Sequence, residues 1–448
     1  MSRHVSRIPN LEFVIDARRA QPIDMPPMSS PSTASRSVDR CRICGSDNLL
    51  SYLDLGRTPL ANAYLKESQL GEPEFSEELC LQLCRRCGLS QLTKVVHPDL
   101  MFRDYLYVSA TTATIRTHFA DLARAAAKAS QAGEGDVAID IASNDGTLVK
   151  AFKDAGLRAL GVDPAENLAA EANAAGLRTE CAYWDRGTAE RLVAELGQAR
   201  VITACNVFAH ADDLHSFMDA VGCALASGGL FIIEAPYAID FIEKSEFDTA
   251  YHEHLSYLSV TPVQTLMQQH GFSVVDCEYF PEIHGGTMRY FCARPGERAA
   301  GPRVAEALNR EKHFGIAEPA VYEAFARSVR DNRQVLRDLL GRLRAEGKII
   351  WAYGASAKGN TLMNFFGLTK AEVPCAVDDN PKKWSYHTPG AQMKIVSPER
   401  LKSDKPDCLL LLAWNFEKEI RARCQAAGFA GDFIVPVPKA RLVPGGQS

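Results

Sequence analysis

Val137-Ala138-Ile139-Asp140-Ile141-Ala142-Ser143-Asn144-Asp145-Gly146 is the stretch on which the reading of this chain turns. Its first five residues form an apolar strand. Asn144-Asp145-Gly146 is turn chemistry, since these residue types accept backbone conformations that others resist. Residues 147–155 then read as a helix, ended by Gly156. Leu157-Arg-Ala-Leu-Gly-Val-Asp163-Pro164 is the next strand and closes on an acid. Strand, helix and strand in that order make a parallel β-α-β unit. Val201-Ile-Thr-Ala-Cys-Asn206 and Gly229-Leu-Phe-Ile-Ile-Glu234 continue the strand series. The expected fold class is α/β, with a Rossmann-like, doubly wound domain over residues 101–300.

In such a sheet the first turn passes close to a ligand, and an acid after the second strand accepts hydrogen bonds from a ribose diol. The loop from Asp140 to Gly146 and the acid Asp163 are therefore candidate cofactor contacts, although Asp163 also fits a solvated strand end. A dinucleotide needs Gly-x-Gly-x-x-Gly so that its pyrophosphate can sit on the helix N-terminus. This turn has one glycine and places Asp145 where the pyrophosphate would approach. S-adenosylmethionine, with a cationic sulfonium, a ribose and no phosphate, fits these residues better.

The N-terminal part carries different chemistry. Cys41-Arg-Ile-Cys44-Gly and Cys84-Arg-Arg-Cys87-Gly are two CxxC pairs. Each puts two thiolates on one tight turn, and two such turns close a tetrahedral four-cysteine zinc site. A redox role needs only one pair. With every position filled by thiolate, such a zinc holds the fold and does not catalyse. Cys80 is a spare without a CxxC partner. The chain has 13 cysteines, an odd number without secretory context, which argues against a disulfide framework. Cys205, Cys223, Cys292, Cys375 and Cys408 fall in apolar, strand-like runs and read as buried small hydrophobes. Residues 39–100 are the expected zinc module. Leu53-Asp-Leu-Gly-Arg-Thr-Pro-Leu60 reads as a loop reaching toward the main body, and residues 1–38, rich in Pro, Ser and Arg, as a mobile tail.

Tyr251-His252-Glu253-His254-Leu255-Ser256-Tyr257 packs the densest acid/base chemistry of the chain into seven residues. His254 titrates near neutrality when unperturbed and is the candidate base. His-Glu-His is also a metal-binding pattern, but no third ligand lies nearby in the sequence. Beyond it, residues 303–345 are helical in pattern. Lys348-Ile-Ile-Trp-Ala-Tyr-Gly354 is a strand entering a glycine turn, Ala376-Val-Asp378-Asp379 ends another, and Asp407-Cys-Leu-Leu-Leu-Leu-Ala-Trp414-Asn415 is buried. Residues 301–448 thus read as a helical linker and a second Rossmann-like unit. Its turn is not a P-loop, because Lys358 precedes Gly359, yet a glycine turn at a helix start can cradle a diphosphate.

Taken together these motifs resemble the three-domain sugar C-methyltransferases, which act on nucleotide-linked 4-keto-deoxysugars. The resemblance runs from about Cys41 to Leu442. It rests on the doubled CxxC, the Ile-Ala-Ser-Asn-Asp-Gly loop, Gly161-Val-Asp163-Pro164, Asn206-Val-Phe-Ala-His210, the Tyr-His-Glu-His block, His284-Gly285-Gly286-Thr-Met-Arg289 and Tyr353-Gly354-Ala355-Ser-Ala-Lys358-Gly359-Asn360-Thr361. It implies five catalytic positions: Tyr105, His210, Tyr251, Glu253 and His254. Tyr107 competes with Tyr105, and His252 is left without a role. Ala142, standing where the usual methyltransferase turn has its first glycine, joins Asn144, Asp145, Gly146, Asp140, Asp163, Pro164 and Asn206 as the cofactor set. His284, Gly285 and Gly286 would form an active-site wall, and Gly354, Lys358 and Gly359 would help to hold the nucleotide of the sugar.

Bulk properties agree with this reading. With 46% hydrophobic and 23% charged residues the chain is ordinary for a globular protein, and its 448 residues exceed one typical core. A formal net charge of -5 gives no general attraction to nucleic acid or anionic membrane. The first thirty-eight residues have arginines but no central apolar block, so no signal peptide is expected. The expectation is a cytoplasmic enzyme using S-adenosylmethionine and a structural zinc ion on a small-molecule nucleotide sugar; the sequence does not give the oligomeric state and is compatible with a monomer. Competing readings are the same scaffold methylating another acceptor, including at oxygen, a nucleotide-sugar-binding protein without catalysis, and a dinucleotide-dependent oxidoreductase.

Overall fold

The computed structural model describes residues 34–102, 113–283 and 285–446. Tyr105, Tyr107 and His284 lie outside the described residues.

The N-terminal module is built on a four-stranded antiparallel sheet. Leu49–Pro59 pairs with Ser76–Cys84, which pairs with Ser90–Leu92. Its fourth strand, Ser256–Tyr257, comes from the heptapeptide of residues 251–257 far along the chain and pairs with Ser90–Leu92. Residues 53–60, expected as a loop, are therefore mostly strand. Register shifts between Ser51 and Leu53 and between Asp54 and Arg57 break the alternation that would have marked it. The loop that does reach the main body is the next one, residues 60–65. The expected tail is also too long by a few residues, because Ser35–Ser37 forms a strand against Lys94–Val96.

The central sheet has seven strands. Starting from one edge they are Ser273–Phe280, Thr287–Ala293, Leu225–Pro236, Ala199–Cys205, Val137–Ile141, Arg158–Asp163 and Thr179–Cys181. The last five run parallel; Thr287–Ala293 lies antiparallel beside Leu225–Pro236 and forms a hairpin with the edge strand Ser273–Phe280. Strand order reverses beside Val137–Ile141, so the crevice for a ligand opens at its carboxyl end and at that of Ala199–Cys205. Cys223, expected in a strand, lies in the helix Leu214–Ala224. Its apolar run is the buried stripe of a helix, which a short apolar run cannot be told from by period alone.

The helical stretch divides in two, Pro302–Phe314 and Pro319–Ala345. Gly315, at φ 80°, ends the first, and Pro319 starts the second. The second helix is about 40 Å long at 1.5 Å per residue. It buries Tyr322, Phe325, Ala326, Val329, Leu336, Leu339, Leu340 and Leu343 at helical spacing. The C-terminal sheet then repeats the doubly wound pattern: Lys394–Val396, Cys375–Val377, Ile350–Tyr353, Cys408–Leu411, Asp432–Val435 and Arg441–Val443, all parallel but the last pair.

Aromatic contacts bind the modules together. Tyr52 of the zinc sheet packs on Tyr322 of the long helix at 4.9 Å, Phe241 bridges Tyr257 and Phe325 at 4.6 and 5.1 Å, and Phe247 meets Phe365 at 5.1 Å. Such ring pairs add about 0.5–1.5 kcal/mol each beyond area burial. No described helix is long and apolar enough to cross a membrane.

Candidate active site

The four CxxC sulfurs converge. Cys41 Sγ lies 3.5 Å from Cys87 Sγ, Cys44 Sγ lies 3.5 Å from Cys84 Sγ, and all four fall within 4.8 Å of one another. Tetrahedral zinc with Zn–S bonds of about 2.3 Å sets its sulfurs about 3.8 Å apart, so the cluster fits the ion. Each turn closes on its glycine: Gly45 N–H donates to Cys41 O at 3.0 Å and Gly88 N–H to Cys84 O at 2.9 Å. Both glycines have positive φ, 68° and 77°. Cys80 stays outside the cluster on its strand, and burial pushes its thiol up to about 11. All thirteen cysteines are free of disulfides.

The loop after Val137–Ile141 winds through alternating positive φ values: Ala142 at 53°, Asn144 at 52° and Gly146 at 76°. Ala142 thus occupies a backbone conformation that glycine takes more cheaply. Its N–H is held by Val162 O at 2.7 Å. Gly161 is needed for the loop to lie down on the neighbouring strand, because a Cβ there would come 2.0 Å from Ser143 Oγ. Asp163 is buried at the strand end; its Oδ2 accepts from Asn144 N and its Oδ1 from Ala165 N, both at 2.8 Å. Asp163 therefore clamps the loop, and a ribose diol would use the remaining lone pairs of its carboxylate. Asp145 accepts from Thr147 N at 3.1 Å, at the start of the helix Thr147–Asp154.

Asp140 points at the adjacent strand, accepting from Thr203 Oγ1 at 2.7 Å. Burial raises it to about 7, against the Thr203 bond and with help from the fields of Asp163, Asp145 and Glu234. Burial also raises Asp163, opposed by its backbone donors. Asn206, at φ 55°, donates its N–H to Glu234 O at 2.8 Å, and Pro164 is half-buried beside Asp163. The carboxylates of Asp145 and Asp163 at this turn suit a ligand with cationic centres and hydroxyl donors and oppose a pyrophosphate. The residues present fit S-adenosylmethionine.

The acid/base cluster assembles around His254. Its Nδ1 sits 2.7 Å from the carbonyl oxygen of Thr249. A carbonyl only accepts, so Nδ1 carries the proton and the neutral ring has its lone pair on Nε2. The Tyr251 ring packs 4.0 Å from the His254 ring, and the His210 ring lies 4.9 Å from it. His210 stands on a short turn, Phe208–His210, that follows Ala199–Cys205, and Leu255 N–H donates to Ala209 O at 2.9 Å, fastening the heptapeptide to that turn. Phe102 stacks on His210 at 5.9 Å. Loss of water around the ring pushes His210 down to about 4, so it is a neutral imidazole at working pH. Glu253 is buried, and its Oε1 accepts from Asn62 Nδ2 at 2.6 Å. His252 points away, toward Glu78 O of the zinc sheet at 3.3 Å, which suits a structural part.

The two expected substrate segments meet through Glu246. A Cβ on Gly285 would come 2.2 Å from Glu246 Oε1, and one on Gly286 would come 2.2 Å from Asp240 Oδ2. Lys358 Nζ lies 3.7 Å from Glu246 Oε2, spanning the central and C-terminal domains. Gly354 and Gly359 have packing reasons as well: a Cβ on the first would sit 2.8 Å from Ala413 Cβ, and one on the second 2.6 Å from Gly354 O. Ser356 caps the following helix, Ala357–Phe366, accepting from Gly359 N at 3.2 Å.

Several participants were not legible in the sequence. Asn62 and Tyr64 come from the segment after Pro59; Tyr64 OH and Lys383 Nζ both donate to Ala355 O at 2.7 Å. Glu234 forms a buried cluster with His118, at 2.9 Å, and with Arg289. A polar and aromatic pair in a segment without periodicity is the only sequence signal for Asn62 and Tyr64.

Three family models cover the chain in the order of its modules. A zinc binding domain matches residues 41–102, a methyltransferase domain 114–276, and a C-methyltransferase C-terminal domain 282–438. C-methyltransferase NovU of Streptomyces niveus is 36% identical over 410 residues, 91% of this chain and 97% of that protein. Likeness to solved structures is low. An S-adenosylmethionine-dependent methyltransferase from Clostridium acetobutylicum is 14% identical, covering 40% of this chain and 92% of that one, with a TM-score of 0.32. Magnesium protoporphyrin IX methyltransferase from Synechocystis is also 14% identical, covering 40% and 81%, with a TM-score of 0.31.

Proposed function

The chain belongs to the C-methyltransferase family and is an S-adenosylmethionine-dependent methyltransferase with a four-cysteine zinc module; on that premise we propose that it methylates a carbon next to the ketone of a nucleotide-linked 4-keto-6-deoxysugar. A carbon becomes nucleophilic when a neighbouring carbonyl makes its proton acidic. His254 Nε2 takes that proton, and the electron pair of the C–H bond moves toward the ketone oxygen. Tyr251 donates a hydrogen bond to the developing oxyanion, a role Tyr105 would share. His210, neutral, orients the acceptor without adding charge. Glu253 accepts from a sugar hydroxyl and fixes the ring of the acceptor against the base. When bound, S-adenosylmethionine supplies an electrophilic methyl group for the carbon so activated.

The observation that supports this reading best is the proton of His254 Nδ1 held on Thr249 O, which makes Nε2 the basic nitrogen of a ring packed against both Tyr251 and His210. Lys358 at the start of a capped helix, with Lys383 close by the same turn, suits the diphosphate of a nucleotide sugar. Gly285 and Gly286 let the wall backbone approach that acceptor. Nine cysteines outside the metal cluster, none in a disulfide, suit the reducing cytoplasm.

The test is incubation with S-adenosylmethionine and a panel of nucleotide-linked 4-keto-6-deoxysugars in heavy water, read by mass spectrometry. Gain of one methyl group, with deuterium entering recovered acceptor, is the expected result. A methyl located on oxygen by NMR would overturn carbon transfer. Tight S-adenosylmethionine binding with no methyl gain across the panel would overturn the acceptor class.

A further inference from the structure

The zinc module lies directly against the catalytic heptapeptide. The heptapeptide ends as a strand of the zinc sheet, with Ser256 opposite Gln91 and Tyr257 opposite Ser90. Leu92 N–H also donates to Leu255 O at 3.0 Å. Ser90–Leu92 in turn begins three residues after Cys87, a ligand of the metal cluster. The metal turn, the strand after it and the heptapeptide are thus consecutive in one hydrogen-bonded path.

A second contact comes from the segment after Pro59. It threads between the heptapeptide and the C-terminal domain and is held at both ends. Asn360, fully buried, donates from Nδ2 to Ala61 O at 2.6 Å, and Leu65 exchanges backbone bonds with His387 at 2.9 and 2.8 Å. Tyr64 OH is fixed on Ala355 O at 2.7 Å. Between these anchors the side chain of Asn62 reaches Glu253 Oε1 at 2.6 Å. Those bonds fix the backbone on both sides of Asn62.

We propose that Asn62 is a positioning residue for Glu253, so that the zinc module supplies part of the catalytic apparatus as well as its own metal site. An amide N–H at one carboxylate oxygen fixes the rotamer of a buried glutamate. The charge then sits ready to accept from a substrate hydroxyl instead of turning toward another donor. Misplacing such a group by about 1 Å can cost about 100-fold in rate. The inference rests on the reading of Glu253 as a catalytic group.

The decisive measurement is a double-mutant cycle on kcat with the panel acceptor that takes the methyl group. Asn62→Leu keeps the shape and removes the donor; Glu253→Gln removes the carboxylate. Asn62→Leu is expected to lower kcat about 10- to 100-fold, with zinc content, S-adenosylmethionine Kd and Tm near those of the parent. In the Glu253→Gln background the same change is expected to cost less than about twofold, because its target is already gone. Multiplying effects in the double variant would overturn the proposal, as would a kcat within about twofold of the parent for Asn62→Leu. Should Asn62→Leu lose zinc or fail to fold, Asn62→Ala, which also lacks the donor and fits without overpacking, takes its place in the cycle, and the same outcomes support or overturn the proposal. A fully active Glu253→Gln would overturn the role of Glu253 itself, a different failure from an inactive Glu253→Gln beside an unaffected Asn62→Leu. Without any acceptor, the carboxyl carbon-13 resonance of Glu253, assigned by its absence in Glu253→Gln, should move in Asn62→Leu; an unmoved resonance would overturn the proposal.

Discussion

His210 should act as a pH-dependent weak point of the central domain. Its value falls to about 4 in the folded chain, while a histidine in the unfolded chain titrates near about 6.5. Between these values the unfolded state binds more protons than the folded state. Stability is therefore fully present above about pH 6.5 and is lost as pH falls toward 4. The limiting loss is about 3.4 kcal/mol, at about 1.36 kcal/mol per unit. At pH 5.0 the two-site expression gives about 2 kcal/mol, and the partial exposure of the ring trims this to about 1–2 kcal/mol. For a domain of this size that is about 2–8 °C in Tm.

The perturbation is His210→Gln, which keeps a neutral polar side chain and removes the titration. Thermal unfolding of parent and variant from pH 8 to pH 5, without ligand, gives a difference curve. Asp140, raised to about 7, acts with the opposite sign, since the folded state then holds the extra proton and gains stability as pH falls. It is present in both proteins and cancels in the difference. Parent minus variant should be flat above about pH 7 and fall steadily below about pH 6.5. A difference independent of pH would refute the reasoning and return His210 to a solvated, chargeable ring. The same neutrality bears on catalysis, because a neutral His210 cannot lend positive charge to an oxyanion.

Three further outcomes are expected. Gly161→Ala drives a methyl group into Ser143, 2.0 Å away, and must lift the cofactor loop; calorimetric titration should show S-adenosylmethionine affinity lowered about tenfold or more, and unchanged affinity would mean that the loop does not bind it. Cys44→Ser should lower zinc content by elemental analysis and methyl transfer together, because the strand beside the heptapeptide follows the metal turn; full activity in a zinc-free protein would separate the two. Glu311 is fully buried and accepts from Val260 N, Thr261 N, Thr261 Oγ1 and Tyr237 OH at 2.6 to 3.0 Å. Glu311→Ala leaves all four donors unpaired, and urea unfolding should show a loss of about 3–5 kcal/mol; a loss below about 1 kcal/mol would mean that water takes the place of the carboxylate.

Much of the fold was legible from short-range pattern. Val137–Ile141, Arg158–Asp163, Ile350–Tyr353 and Cys408–Leu411 are apolar runs bounded by turn residues, and they are strands. The zinc ligands were legible because CxxC with a following glycine is a complete local geometry. Leu49–Pro59 was not, because its bulges destroy the period of two, and Cys223 was not, because a buried helix stripe and a buried strand look alike over a few residues. The break at residues 315–318 was signalled by Gly315 and Pro319 but not read as one.

The division within the site has the same origin. Residue types, turn chemistry and the ligand set of the metal are properties of neighbours in sequence, and the sequence by itself determined them: four thiolates in two turns, an acid-rich cofactor loop, and a Tyr-His-Glu-His block. Only the tertiary structure decided that Asn62, 191 positions from Glu253, donates to it. Only the tertiary structure lowered His210, since desolvation depends on what packs around a ring and not on the residues beside it. It also chose the proton-bearing nitrogen of His254, through a Thr249 carbonyl whose approach depends on Leu255 bonding to Ala209 and on Ser256–Tyr257 joining the zinc sheet. Local geometry can be written in adjacent residues, whereas burial and long-range hydrogen bonds exist only once the chain has packed.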